Sequence, residues 1–461
     1  MTTTSSAATK TANTVAVAPR LLPLIGNLPQ LLRNPLGFLA SLPKYGDLVR
    51  IGVGPIPAIV VCDPELTRKV LVDDRTFDKG GPYFDLGREV LGDGLGTCAH
   101  AKHRWQRRTI QPAFHHSRFP RYAELMATEV IDIAESWHDG EIVDIHKEMA
   151  AMATQIAVDT MFAGSVPLST QSKAREDIST ILDGAMRWIL TPKLLDQLPV
   201  IGRRKYHRAI DRLRGITRHV RAKQDAGEAD AGNLLSILVA ARDPEHGGGL
   251  SDNDITDQVV TFFAAGVVTT AITLTWALFF VAQHPDVERR LLAEAESVLS
   301  VDRAPYDQLP LLPFTNAVLI ETLRLYPPAW LFTRLTTVDT ELGGHQLPKG
   351  TTLVCCPYVV HHRDDLFAEP ERFDPDRWSA ERAPSVTAHA FGAFGTGARK
   401  CIGEDFALTE ATLGLAHIVS RWHVDLDTSS RARPAVGLTL GPRGIRLRVT
   451  RRGPDQQSAP R

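Results

Sequence analysis

The most concentrated chemistry in the sequence lies in Phe394-Gly-Thr-Gly-Ala-Arg-Lys-Cys401-Ile-Gly-Glu-Asp-Phe406, where Gly395, Gly397 and Gly403 bracket a cysteine. Glycine permits positive φ and close backbone approach, so this loop can curl around the sulfur. Backbone N–H groups aimed at the sulfur, and the positive end of the helix that follows, favour thiolate over thiol. Arg399 and Lys400 add positive charge. A thiolate serves as nucleophile or metal ligand; taken alone, the segment is equally readable as a glycine-rich turn beside a buried cysteine.

Other residues carry chemistry by spacing. Glu321 and Arg324 stand three apart, on one helix face, and can form a local ion pair; Pro327-Pro328 then ends that helix near Tyr326. His103 and Arg107 lie one turn apart and can both donate to carboxylates. His100 and His103 have no neighbouring carboxylate or cysteine with zinc-ligand spacing. The other cysteines are Cys62, Cys98, Cys355 and Cys356. Five cysteines without a CxxC are neither a disulfide framework nor a zinc cluster, and they point to a reducing compartment.

The spacing Phe394-x-x-Gly397-x-Arg399-x-Cys401-x-Gly403 resembles the haem-binding signature of the cytochrome P450 family. That resemblance implies a mainly α fold with small β-sheets, the haem buried between an oxygen-binding helix and the cysteine loop. It implies haem b (iron protoporphyrin IX) with Cys401 as axial thiolate, pushing electron density that favours O–O cleavage. Arg399, His103, Arg107 and Arg334 are then the expected partners of haem propionates. Glu321-Thr-Leu-Arg324 is similar to the family's ExxR. Arg377, in Pro375-Asp-Arg-Trp378 and 24 residues before Cys401, is the third member of a structural triad, preferred over the more literal Pro370-Glu-Arg-Phe373. Ala265-Gly266-Val-Val-Thr269-Thr270 resembles the oxygen-activating segment, with Thr269 and Thr270 as catalytic hydroxyls. Val268 departs from the family, which usually has Asp or Glu there. Arg75 to Gly96 resembles actinobacterial enzymes that oxidise cyclic sesquiterpenes.

These residues need elements to hold them. The uncharged segment 258–285 reads as a buried helix, because five threonines and Gly266 interrupt what could otherwise span a bilayer. Ser251 is placed to cap it. Apolar residues recur at helical spacing from Ala407 to Trp422 and from Ala209 to Val220. Strands are expected at 48–53, 58–62, 351–355 and around Ile445, Leu447 and Val449, with Gly54-Pro55 and Gly441-Pro442 as turns. Residues 1–19 and 453–461 read as disordered tails around one domain, 20–452.

Composition bounds the partners. Lys plus Arg number 52 and Asp plus Glu 53, so no overall basic excess suggests nucleic acid. Residues 203–223 are strongly basic, the pattern of a solvated helix face or, alternatively, of a membrane or nucleic-acid surface. No glycine-rich flavin or nicotinamide fingerprint is present, so electrons must come from separate proteins. The family resemblance points to ferredoxin and its reductase, a cytoplasmic bacterial setting and no stable membrane insertion. Phe263, Ala265, Gly266, Trp330, Leu331, Phe332 and Leu438 are the candidate lining of a pocket for a small apolar substrate. A cyclic terpene fits, as do a fatty acid and a polyketide or macrolide. A peroxide-using or rearranging haem-thiolate enzyme, and a non-catalytic haem sensor, are the rival functions; oligomeric state is not legible.

Overall fold

A helix that is apolar all round must be covered all round, and the segment after Ser251 organises the chain accordingly. In the computed structural model, Asp252–Gln283 is one long helix, capped by Ser251, whose side chain accepts from Asp254 N–H while the Asp254 carboxylate accepts from Ser251 N–H. The structure describes residues 14–163, 165–190, 203–227, 232–245, 247–299, 306–383 and 390–453. The expected tails at 1–13 and 454–461 lie outside them.

Two apolar clusters meet along this central helix. Ala271 to Val281 pack into one with Phe119–Ser136, Ile145–Phe162, Pro313–Leu325 and Glu404–Arg421. Ile255 to Val267 pack into the other with Leu168–Leu190, Arg203–Asp225 and Leu234–Ala240. The helix is long and apolar enough to cross a membrane, but here protein takes up that surface.

A six-stranded sheet runs in the order Ala16–Val17, Leu48–Val53, Ile56–Val61, Thr352–Cys355, Phe332–Thr336, Phe77–Asp78. Alternate residues of its strands go to opposite faces, and both are covered: Val49, Ile51, Val60 and Val354 join one apolar cluster, and Leu48, Ile59, Val61 and Leu353 another. The sheet sets Asp78 opposite Leu335, beside Arg334. Its first strand corrects the expected domain start at residue 20: Ala16 and Val17 pair with Val49 and Arg50. Gly441-Pro442 is not a turn either. It lies inside the strand Leu440–Arg443, paired with Arg433–Val436, and the reversal falls at Gly437–Thr439.

The core holds several neutral histidines. Burial pushes the pKa of His361 down to about 3, and those of His362 and His417 to about 4. Unfolded, each would titrate near its ordinary value of about 6.5. Their contribution to stability is therefore complete above about pH 6.5 and is lost as pH falls towards the folded values, by up to about 1.4 kcal/mol per histidine per pH unit. The melting temperature should drop between about pH 6.5 and pH 5, less steeply in His417→Gln. A melting temperature flat over that range contradicts this.

Candidate active site

The loop before Cys401 is closed by its own backbone. Lys400 N–H donates to the Gly397 carbonyl (3.1 Å) and Cys401 N–H to that of Phe394 (2.9 Å). Gly395 and Gly397 both have φ of 70°. A Cβ on Gly397 would stand 2.9 Å from the Leu71 carbonyl oxygen, so the helix Pro64–Val72 can approach only glycine there. Gly403, at φ −96°, caps the helix Glu404–Arg421, and its N–H points at the Cys401 sulfur.

Cys401 is exposed, whereas the other four cysteines are buried. Even so, burial pushes its thiol above the ordinary value, against the Gly403 N–H, Arg107 and Lys79, which lower it. Desolvation and the loop's donors thus act on the sulfur in opposite directions.

The central helix keeps accessible surface where its two apolar clusters meet. Ala265 is exposed in mid-helix, and a Cβ on Gly266 would meet nothing within 4 Å. Ile402, next to Cys401, packs against the cluster that holds Phe263 and Val267. Thr269 is partly accessible, and its hydroxyl donates to the Ala265 carbonyl (2.5 Å), one turn back. Thr270 is 2% exposed with no partner for its hydroxyl, so the structure turns it away from the space where a catalytic role was expected.

Lys79 and Arg107 are close enough to act on the Cys401 sulfur, and Arg334, Arg399 and His103 lie around Lys79. Arg334 is 5% exposed; its guanidinium donates to the Thr333 carbonyl (2.8 Å), and its Nε has no partner. His103 is equally buried, with Nδ1 unpartnered; burial, then Arg399 and Lys79, push its pKa down to about 3. Lys79 was not singled out in the sequence. Its Nζ donates to the Gly96 carbonyl (2.7 Å), and burial with Arg334 and Arg399 pushes its pKa down to about 7. Arg107 donates to the Lys400 carbonyl (2.7 Å) and to Gln111 Oε1 (2.8 Å). Buried donors without partners, beside an uncompensated guanidinium, are costly alone and suit an anionic ligand. They fit the carboxylates of a haem whose iron would meet Cys401.

Arg399 departs from expectation. Its Nε and terminal nitrogens donate to Asp74 (3.1 Å), Asp78 (2.8 Å) and the Cys98 carbonyl (2.8 Å). The chain's own carboxylates hold it, and partners 325 and 321 residues distant are invisible to local spacing.

Behind the loop, Glu321, Arg324 and Arg377 meet. Both Glu321 and Arg324 side chains are 0% exposed. Glu321 accepts from Arg324 Nε and a terminal nitrogen (2.9 Å each), Asp374 N–H (3.1 Å), Trp378 Nε1 (2.9 Å) and Arg377 Nε (3.4 Å). Trp378 carried no signal of its own in the sequence; its indole N–H gives the carboxylate a further donor.

The expected pocket lining is corrected at two positions. Phe263 is 1% exposed and stacks on Phe162 (5.9 Å between centroids). It lies two residues, about 200° of helix, from Ala265, so the two cannot share a face. Trp330 packs into the core, its Nε1 donating to the Gly437 carbonyl (3.0 Å). Leu331 and Leu438 are partly accessible, and Ala329, not expected from sequence, is exposed. Phe332 lines a cavity of about 270 Å³ with Leu71, His361, Phe394 and Lys400.

Comparison with known proteins places these features. The family model "Cytochrome P450" matches residues 17–449. The chain is 42% identical to pentalenene oxygenase of Streptomyces avermitilis over 440 residues, 95% of this chain and 98% of that protein. It is 43% identical to cyclooctatin synthase of Streptomyces melanosporofaciens, covering 92% and 94%. Cyclooctat-9-en-7-ol 5-monooxygenase from the same organism is 42% identical, covering 93% and 91%.

The Glu321 network sets a clear expectation. Trp378→Phe should lower unfolding stability in urea by about 1–3 kcal/mol, the cost of a buried carboxylate losing one donor. Glu321→Gln should cost more, about 3–5 kcal/mol, because two buried guanidiniums lose their counter-charge. Equal losses in both variants contradict this ordering.

Proposed function

The chain belongs to the cytochrome P450 family and is a haem-dependent monooxygenase acting with a redox partner, and we propose that it oxidises a cyclic terpene. The observation that carries this reading is the accessible surface at Ala265, Gly266 and Thr269, small and uncharged, in a helix with no charged residue from Gln258 to Gln283. Accessible apolar surface of this kind, there and at Ala329, Leu331 and Leu438, suits a hydrocarbon recognised by shape rather than by polar contacts. The names of relatives at 42–43% identity, pentalenene oxygenase among them, support the same class.

In this reading haem b binds through Cys401, with Arg334, His103 and Lys79 offering donors to its carboxylates. Bound, the haem supplies activation of O₂ for insertion of one oxygen atom into the substrate. Ala265 and Gly266 leave room for substrate, and the surrounding apolar core excludes bulk water. Val268 cannot relay a proton, so Thr269 Oγ1, resting on the Ala265 carbonyl, holds the hydroxyl proton nearest the space. A ferredoxin is the proposed donor, and the bacterial cytoplasm the proposed setting. Exposed Arg104 offers it positive charge; Arg108 is committed to Asp243 and Glu245, and Lys400 to Glu404, and these offer less. Val268 also favours a second reading, a peroxide-driven enzyme, since peroxide brings the oxygen atom, protons and reducing equivalents together.

The test is a panel of cyclic terpenes, fatty acids and macrolides scored by substrate-induced Soret shift, then by turnover with reduced ferredoxin and O₂ or with peroxide. A terpene should give the tightest shift and turn over with O₂. With it, Thr269→Ala should divert reducing equivalents into peroxide while leaving affinity nearly unchanged, and Thr270→Val should not. Tightest binding by a fatty acid or macrolide contradicts the substrate class; unchanged coupling in Thr269→Ala contradicts the proton route.

A further inference from the structure

His361 has no part in the proposed reaction, yet it sits between the buried ion pair and the cysteine loop. It is 0% exposed, in the short helix Pro357–His361. Its Nδ1 lies 3.0 Å from the Arg324 carbonyl oxygen, which can only accept. Its Nε2 lies 3.1 Å from the Gly392 N–H, which can only donate. The two contacts together assign a neutral ring protonated on Nδ1. The His361 carbonyl in turn accepts from the Arg324 guanidinium (2.9 Å). The imidazole is also stacked on Phe391 (5.3 Å, 9° between planes), whose ring meets Trp378 edge-on at 5.3 Å.

We propose that His361 is a positioning residue, a strut that fixes the start of the cysteine loop to the end of the Glu321–Arg324 helix and so sets where Cys401 presents its sulfur. The chain of contact is continuous. Glu321 orients Arg324, Arg324 and His361 bind each other through both backbone carbonyls, and His361 Nε2 holds Gly392, nine residues before Cys401. Gly392 and Gly395 are themselves joined by a backbone hydrogen bond (3.0 Å), and Cys401 N–H closes on Phe394, so a shift at Gly392 is passed to the sulfur. No other side chain among the described residues is recorded as accepting the Gly392 N–H.

The two ends of the strut are separable. An asparagine amide reaches about as far as Nδ1, and a glutamine amide about as far as Nε2. His361→Asn therefore keeps the helix end and loses Gly392, while His361→Gln keeps Gly392 and loses the helix end. In the haem-loaded protein, amide exchange at Gly392 should be about tenfold or more faster in His361→Asn than in His361→Gln, as expected for a lost buried hydrogen bond. The ferrous–CO Soret band should lose its red-shifted, thiolate-type component in His361→Asn and keep it in His361→Gln. A His361→Asn chain that takes up no haem while His361→Gln does has the same meaning. Equal behaviour of the two variants, or greater damage from His361→Gln, overturns the strut. The proposal rests on Cys401 as haem ligand. Were that reading wrong, the unsubstituted protein would itself lack the red-shifted band while Gly392 exchange still reported on the strut.

Discussion

A carboxylate with no exposed surface organises this protein. Glu321 has left water entirely, and such a charge is tolerated only where good geometry and several donors replace hydration. Here the donors come from its own helix through Arg324, from Arg377 and Trp378, and from the backbone of Asp374. They lie up to 57 residues away. Satisfying one carboxylate therefore fixes the path of the chain from the end of the helix Pro313–Leu325 to the short turn Pro375–Trp378. Arg324 extends the same constraint to the Pro370 and Arg372 carbonyls. Packing alone could not define this path so narrowly, because irregular backbone offers few apolar faces.

The active-site space is the complementary feature, a place where satisfaction is withheld. Elsewhere the central helix is taken up by one apolar cluster or the other, and at their junction small residues leave accessible surface. Beside it, Arg334 keeps a donor without an acceptor, and His103 a ring nitrogen without a partner. Each is unfavourable by itself, and together they suit a haem, which Cys401 would hold by its iron and Arg334 by its carboxylates. Cofactor binding and stability are in this way coupled, since a bound group that offsets these costs also stabilises the fold.

Much of this was legible in the sequence, for a physical reason. Gly395, Gly397 and Cys401 are read from spacing because a tight loop fixes residue types locally. Glu321 and Arg324 are read because a helix brings residues three apart together. What was not legible depends on helix phase or on distance along the chain. Phe263 and Ala265 look like neighbours in a string, but the helix sets them on opposite sides. Arg399 seemed free for a ligand because Asp74 and Asp78 approach it only through the folded sheet. Lys79, Ala329 and Trp378 carried no local signal at all. The strand Ala16–Val17 was missed because two residues have no period; only the neighbouring strand Leu48–Val53 defines them.

The central claim is that Cys401, held by this framework, is the thiolate ligand of the haem iron. The ferrous–CO spectrum of Cys401→Ser tests it most directly, with Cys98→Ser as the control for loss of a buried cysteine. The account predicts that Cys401→Ser loses the red-shifted Soret band, while Cys98→Ser retains it. A red-shifted band in purified, haem-loaded Cys401→Ser would contradict the account.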